Sequence, residues 1–274
     1  MKVKEIMTKD VITTSSDQTI SKTLGSIQRN NVHQLPVVSK NTVIGIITLD
    51  DIFKKDADPA TTKVAALMHS TPTVLPDDDV EKAIQLILSA NQRAIPVVGK
   101  ELEGIISETD ILKIIKIDKT LDEVAKKAHC VEVTDTLGKA KHVMNDNNIS
   151  KVPVVKNGSC VGIIGTLELI KTLVPGKQSF EGSSSRAYKA HGTKEKRTID
   201  ETLVTTLMSP ANVYNNSEMT VAQAITLLQK NEQVILKNGE LSIITPKDIL
   251  RATQKPTKFE LIQGIYFCMK IGSG

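Results

Sequence analysis

Three stretches of the chain place a hydroxyl residue three positions before an aspartate: Thr48 and Asp51, Ser107 and Asp110, Thr245 and Asp248. Each follows a pair of isoleucines (Ile46-Ile47, Ile105-Ile106, Ile243-Ile244), so each marks a passage from a strand into a helix. Two chemistries fit this spacing. It is the pattern of a capping box, in which hydroxyl and acid close the open N–H groups of a first helical turn, and Pro246 suits the first helical position. A helix start with free N–H groups and a hydroxyl can also receive an anion. An aspartate one turn in can accept two hydrogen bonds from a vicinal diol, each charge-assisted and worth roughly 1.5–3 kcal/mol. For one occurrence capping is explanation enough. Three occurrences at the same place favour the second use, and apolar strand edges nearby would supply a slot for a flat heterocycle. Phosphate, sugar and base together describe a nucleotide.

The elements that must hold these pairs recur with them. Leu35-Pro36-Val37-Val38 returns as Ile95-Pro96-Val97-Val98 and as Val152-Pro153-Val154-Val155, each followed by an apolar run around a glycine. A worn fourth copy ends in Ile243 to Ile249, with Val234 expected in the place of the proline and Ser242 in that of the glycine. Upstream of each copy lies a short helical signature: Val3/Ile6/Met7, Val64/Leu67/Met68, Leu121/Val124/Ala125 and Val204/Leu207/Met208. A short strand follows, over Val11-Ile12-Thr13, Thr73-Val74-Leu75, Val131-Glu132-Val133 and Val213-Tyr214. Amphipathic helices come next, on Ile20/Leu24/Ile27, Val80/Ala83/Ile84/Ile87/Leu88, Leu137/Ala140/Met144 and Val221/Ala224/Ile225/Leu228. The run Asp77-Asp78-Asp79 before the second of these suits a helix N-terminus.

A unit of about 60 residues buries too little surface to stand alone comfortably, so the copies should pair. The division expected is 1–57, 58–117, 118–174 (third copy, with a degenerate site) and 201–252 (fourth, divergent). A Gly/Ser-rich basic linker occupies 175–200 and a tail 253–274. The linker carries six Lys and Arg between 176 and 198 against Glu181 and Glu195, and reads as mobile and solvated.

Composition narrows the function. The chain has 274 residues, 40% hydrophobic and 24% charged, which supports a folded core. Aromatics are 3% with no Trp, which speaks against stacking platforms for bases or sugars. A net charge of +4 is too mild for a dedicated nucleic-acid binder. No apolar run approaches the ~18 residues of a membrane span, and the start lacks a signal-peptide core, so the cytoplasm is the expected compartment. Cys130, Cys160 and Cys268 are scattered, and His69, His129, His142 and His191 show no metal-ligand spacing, so surface or core roles are expected for these histidines.

The register of these motifs, hhPVV, hhGII-T/S and T/S-x-x-D-I, resembles cystathionine-β-synthase (CBS) domains, four of them in two tandem pairs known as Bateman modules. It covers about residues 1–252, and the four-repeat layout is similar to the gamma subunit of AMP-activated protein kinase and to stand-alone archaeal proteins of the family. The resemblance implies an α/β (α+β) fold of βαββα repeats paired into two pseudo-twofold modules, with clefts that bind AMP, ADP or ATP as regulatory ligands. By position it places the ribose-binding acid on Asp51, Asp110 and Asp248, with the hydroxyl on Thr48, Ser107 and Thr245. Phosphate-facing basic residues fall on His33, Arg93 and Lys151, beside Pro36 and Pro96. The adenine slot falls on Val11, Ile12 and Thr13, on Thr73 and Val74, and on Val213 and Tyr214. Gly165 and Glu168 depart from the pattern, so the third site is expected to be empty, and the pair of repeats in 1–117 is the expected main site. The reading is of a non-enzymatic sensor with no catalytic cofactor and no metal. An adenosine-type small molecule, with a protein effector or a second copy of the chain, would be its partners; neither membrane nor nucleic acid is expected. The alternatives are a sensor of S-adenosylmethionine-type ligands and a ligand-free interaction scaffold.

Overall fold

A computed structural model describes residues 1–55, 58–170, 200–215, 219–230 and 234–254. The first repeat carries α1 (Ile20–Asn30), the hairpin β1 (Gln34–Ser39) and β2 (Thr42–Thr48), and α2 (Leu49–Lys54). The second carries α3 (Val80–Ser89), β3 (Ala94–Val98), β4 (Leu102–Ser107) and α4 (Glu108–Leu112). The third begins with α5 (Leu121–Val124) and β5 (Lys126–Lys127) and continues through β6 (Val131–Glu132), α6 (Leu137–Asp146), β7 (Lys151–Lys156), β8 (Ser159–Gly165) and α7 (Thr166–Ile170). The fourth consists of β9 (Val213–Asn215), α8 (Val221–Gln229), β10 (Val234–Asn238), β11 (Glu240–Ile244) and α9 (Pro246–Thr253). The upstream helical signatures become single 3-10 turns at Val3–Glu5, Val64–Ala66 and Val204–Thr206, and α5 in the third repeat.

In repeats one and two the first strand is a single parallel bridge: Thr14 to Val37, one residue past the expected Val11-Ile12-Thr13, and Val74 to Val97, within the expected Thr73-Val74-Leu75. The proline ends the ladder on one side. Thr14 N–H donates to Pro36 O and Val38 N–H to Thr14 O, and the next rung would need an N–H from Pro36, which has none. In the fourth repeat Ile235 stands at that place, opposite Ile243 as Pro36 stands opposite Ile46, and β9 runs past it in parallel pairing. The equivalent of the proline is therefore Ile235 and not Val234. The first three hairpins carry a bulge between the two valines that follow the proline (Val37/Val38, Val97/Val98, Val154/Val155), and β10–β11 pairs without one, which moves the count by a residue.

Tandem repeats exchange their leading segments. The segment before repeat one crosses to β4 through Thr8 and Ile105, and that before repeat two crosses to β2 through His69 and Ile46. In the second module β5 pairs with β11 through Lys126 and Ile243, and Ser209 pairs with Ile163 of β8. Asp77-Asp78-Asp79 serves this exchange more than the helix start: Lys4 pairs with Asp77 at 2.6 Å and Lys2 with Asp79 at 2.9 Å. Helices then join the modules, α2 against α7 and α4 against α8 and α9. One core accordingly unites repeats two and four (Ile87, Ile106, Leu112, Leu236, Leu250), and another unites repeats one and three (Leu24, Ile47, Leu49, Val154, Leu169). The linker expected at 175–200, apart from Asp200, and the tail from 255 onward lie outside the described residues.

Candidate ligand-binding cleft

The hydroxyl–acid pairs form capping boxes. Thr48 Oγ1 donates to Asp51 Oδ2 at 2.6 Å and accepts from Asp51 N–H at 3.1 Å, while Thr48 N–H donates to the same carboxylate oxygen. Ser107 and Asp110 repeat this geometry, and Thr245 donates to Asp248 at 2.6 Å in the same way. The box uses one carboxylate oxygen, Oδ2, in all three repeats. What distinguishes the acids is their accessibility and the fate of the other oxygen.

Asp51 is the open one. Its side chain is 25% exposed, against 7% for Asp110 and 5% for Asp248. His69 Nδ1 lies 3.2 Å from Asp51 Oδ2, and among the described residues Oδ1 takes no bond. Lys113 holds Asp110 Oδ1 at 3.0 Å. Lys126 holds Asp248 Oδ1 at 2.7 Å, with Arg251 at 3.3 Å. In the third repeat Glu168 reaches Gly165 N–H at 2.9 Å without a hydroxyl to help, and its second oxygen accepts from Ser209 Oγ at 3.0 Å.

Asp51 and Thr48 face a cavity of about 190 Å³ to which all four repeats contribute: His33 and Asp51 from the first, Arg93 from the second, Ser150 from the third and Lys247 from the fourth. Arg93 donates to Ser150 Oγ across the modules. Lys247 donates to Asn91 O at 2.9 Å and to Asn91 Oδ1 at 2.7 Å, and stands 4.0 Å from Glu108. Gln34 fastens the two repeats of the first module, donating to Ala94 O at 2.6 Å.

The electrostatics of this junction are unusual for a protein interior. Burial, then the nearby Arg93 and Lys151, push the His33 imidazole down to about 3, so His33 brings a hydrogen-bonding ring and no positive charge. Burial with Arg93 pushes Lys151 down to about 8. Burial lowers Lys247 as well, against the opposing pull of Glu108. Glu108 is pushed up to about 7 by burial, with Arg93 and Lys247 pulling the other way. Arg93, Lys54 and Lys247 thus share the cavity wall with the carboxylates of Asp50 and Asp51.

Of the residues expected from sequence, His33, Thr48, Asp51 and Arg93 meet at this cavity, and Pro36 and Pro96 are buried beside it in their strands. Ser107, Asp110, Thr245 and Asp248 lie outside its walls. Lys151 acts on the junction through its charge beside Arg93. Thr13 lines a separate hollow with Lys22 and Arg29. Val11 and Ile12 are partly or largely exposed, as are Thr73, Val213 and Tyr214. Val74 corrects the expectation of a slot residue: it is 2% exposed and packs in the core of repeats two and four. Ile12, Thr73 and Val213 can face a ligand, whereas Val74 points inward because successive strand residues alternate sides. His69, Ser150 and Lys247 are among the lining residues that sequence reasoning missed. His69 was expected on a surface or in a core, and its one signal was its place directly after Met68 of the repeated helical signature.

Comparison with known proteins agrees with this architecture. A family model described as "CBS domain" matches residues 3–58, 64–117 and 121–175, leaving the divergent fourth repeat unmatched. Protein MJ1404 of Methanocaldococcus jannaschii is 31% identical over 199 residues, 68% of this chain and 47% of that protein. MJ1225 of the same organism is 27% identical over 198 residues, 62% of this chain and 71% of its own. The chain thus spans about half the length of MJ1404 and of MJ0188, another of its relatives there. Among solved structures MJ1225, described as related to the γ subunit of AMP-activated protein kinase, superposes with a TM-score of 0.76 at 23% identity, over 93% of this chain and 100% of that one. A conserved protein of Pyrococcus horikoshii superposes with a TM-score of 0.58 at 22% identity, over 92% and 99%. With three repeats matched by the family model and a fourth built to the same plan, the chain belongs to the CBS domain family.

Proposed function

We propose that this chain is a non-enzymatic regulatory protein that binds an adenine nucleotide in the first cleft, with the four repeats divided as 1–57, 58–117, 118–174 and 201–252. The observation that carries the reading is the position of Asp51: an accessible carboxylate with one oxygen uncommitted among the described residues, at the edge of a cavity that also holds Arg93 and Lys247. Asp51 suits a ribose diol, which needs two acceptor positions on one carboxylate. Arg93 suits a phosphate, for which its planar fork is the best-matched side chain. Lys151 and Lys247 are both held below their ordinary pKa by burial, and an anion beside them would favour their charged forms.

A ligand at this place touches both modules. It therefore biases their relative arrangement to the extent that its affinity differs between the two arrangements, which is the requirement for passing a signal to a protein effector or a second chain. Arg93 and Lys247 on the cavity wall favour a phosphate-bearing ligand over the sulfonium of S-adenosylmethionine.

The test is a thermal-shift series with adenosine, AMP, ADP, ATP and S-adenosylmethionine. A nucleotide at a hundred times its dissociation constant adds roughly 2.7 kcal/mol of stability, so melting rises with the phosphate-bearing ligands. No shift with any of them would leave a scaffold whose caps are only caps.

A further inference from the structure

The four exchanged segments each deliver one residue to the same place. Thr8, His69, Lys126 and Ser209 pair with Ile105, Ile46, Ile243 and Ile163, the residue two before the hydroxyl or its glycine replacement in the neighbouring repeat. Three of these four side chains touch the acid of that repeat directly: His69 reaches Asp51 at 3.2 Å, Ser209 reaches Glu168 at 3.0 Å and Lys126 reaches Asp248 at 2.7 Å. Their chemistries differ. Threonine and serine are neutral hydroxyls, histidine is a weak base, and lysine is a full cation. Arg251 on Asp248 is not what sets the fourth repeat apart, since Lys113 makes the same i,i+3 contact with Asp110.

We infer that this crossing position selects which clefts admit a diol-bearing ligand, and that Lys126 keeps the fourth cleft closed although Thr245 and Asp248 are intact. The inference rests on the nucleotide reading of Asp51 and its equivalents. A carboxylate gives up one oxygen to the capping box, so a diol must use what the other oxygen and the remaining lone pairs offer. On Asp248 the other oxygen is held by two cations, Lys126 of the partner repeat at 2.7 Å and Arg251 at 3.3 Å, where that of Asp110 has Lys113 alone, and the Asp248 side chain is 5% exposed. A neutral diol has to displace a charge-assisted contact there to enter. On Asp51 the crossing residue contacts the oxygen already spent on the cap, and the other oxygen stays available. Lys126 itself is 55% exposed, so its head is held by the carboxylate and not by packing, and its removal leaves the core untouched.

The experiment is calorimetric titration of the full chain with AMP, reading molecules bound per chain. Lys126→Thr, which installs the residue type found at the equivalent crossing position Thr8, is expected to bind one more AMP than the parent chain, and Lys126→Thr with Asp248→Asn to lose it again. His69→Lys is expected to bind one fewer. Should Lys126→Thr fold poorly by circular dichroism, Lys126→Gln carries the same test with the charge alone removed. A parent chain that binds AMP, with unchanged stoichiometry in both Lys126 variants, overturns the inference and leaves the nucleotide reading standing. A parent that binds none while the variant binds one removes the first-cleft reading and upholds the closure; no binding in either overturns both.

Discussion

The guanidinium of Arg93 in the second repeat donates to the hydroxyl of Ser150 in the third, so one side chain spans both modules at the edge of the cavity that Asp51 faces. Burial and, after it, the charge of Arg93 lower the pKa of His33 and Lys151.

Arg93→Ala is therefore expected to weaken AMP binding about tenfold to a hundredfold, the scale of one or two charge-assisted hydrogen bonds at roughly 1.5–3 kcal/mol each. Adenosine, which has no phosphate, should lose less than threefold. Parallel titrations with the two ligands check this, and equal losses for both would place Arg93 away from the phosphate.

Glycine 45 is where the exchanged segment crosses β2 most tightly. A Cβ there would meet the carbonyl oxygen of His69 at 2.7 Å. Gly104 repeats the arrangement with Thr8 O at 2.9 Å. Because the obstruction is backbone, the crossing segment has to shift, and Gly45→Ala is expected to cost about 1–3 kcal/mol by overpacking. Denaturant unfolding measures the cost, and AMP affinity should fall with it because His69 moves off Asp51. Unchanged stability would mean that the segment can slide freely.

The buried Glu108 gives a pH signature. Its Oε1 finds no hydrogen-bond partner among the described residues, and burial raises its pKa from 4.5 to about 7. Between those two values the unfolded chain has already lost the proton that the folded chain keeps. Stability linked to Glu108 is thus fully present below pH 4.5, falls as pH rises, and is lost above about 7. The displacement corresponds to roughly 3 kcal/mol as an upper bound. Glu108→Gln should remove this slope, seen in melting temperatures from pH 4.5 to 8, and parallel curves for the two proteins would contradict it.

The repeat plan was legible because it is written several times over. Pro36, Pro96 and Pro153 in equal surroundings located three hairpins, and the isoleucine pairs before the capping boxes located three helix starts, without any long-range information. The exchange of leading segments was not legible, since Val3/Ile6/Met7 and its equivalents announce a buried face without saying which repeat buries it. That single unknown hid His69, whose relation to Asp51 exists only across repeats. It also hid the fate of Asp248, because the lysine that engages it is 122 positions away in the chain. Val74 was misplaced for a local reason: a strand reduced to one bridge gives too few residues to establish which side faces the core. Lys247 and Ser150 reach the cavity through the packing of one module on the other, which no periodicity within a repeat encodes.

Titration of AMP into the full chain and into Asp51→Ala bears most directly on the nucleotide assignment. The expected result is saturable binding by the parent and an affinity lower by about 1.4–2.7 kcal/mol, tenfold to a hundredfold, in the variant. Equal affinity in both, or no heat of binding in the parent, would contradict it.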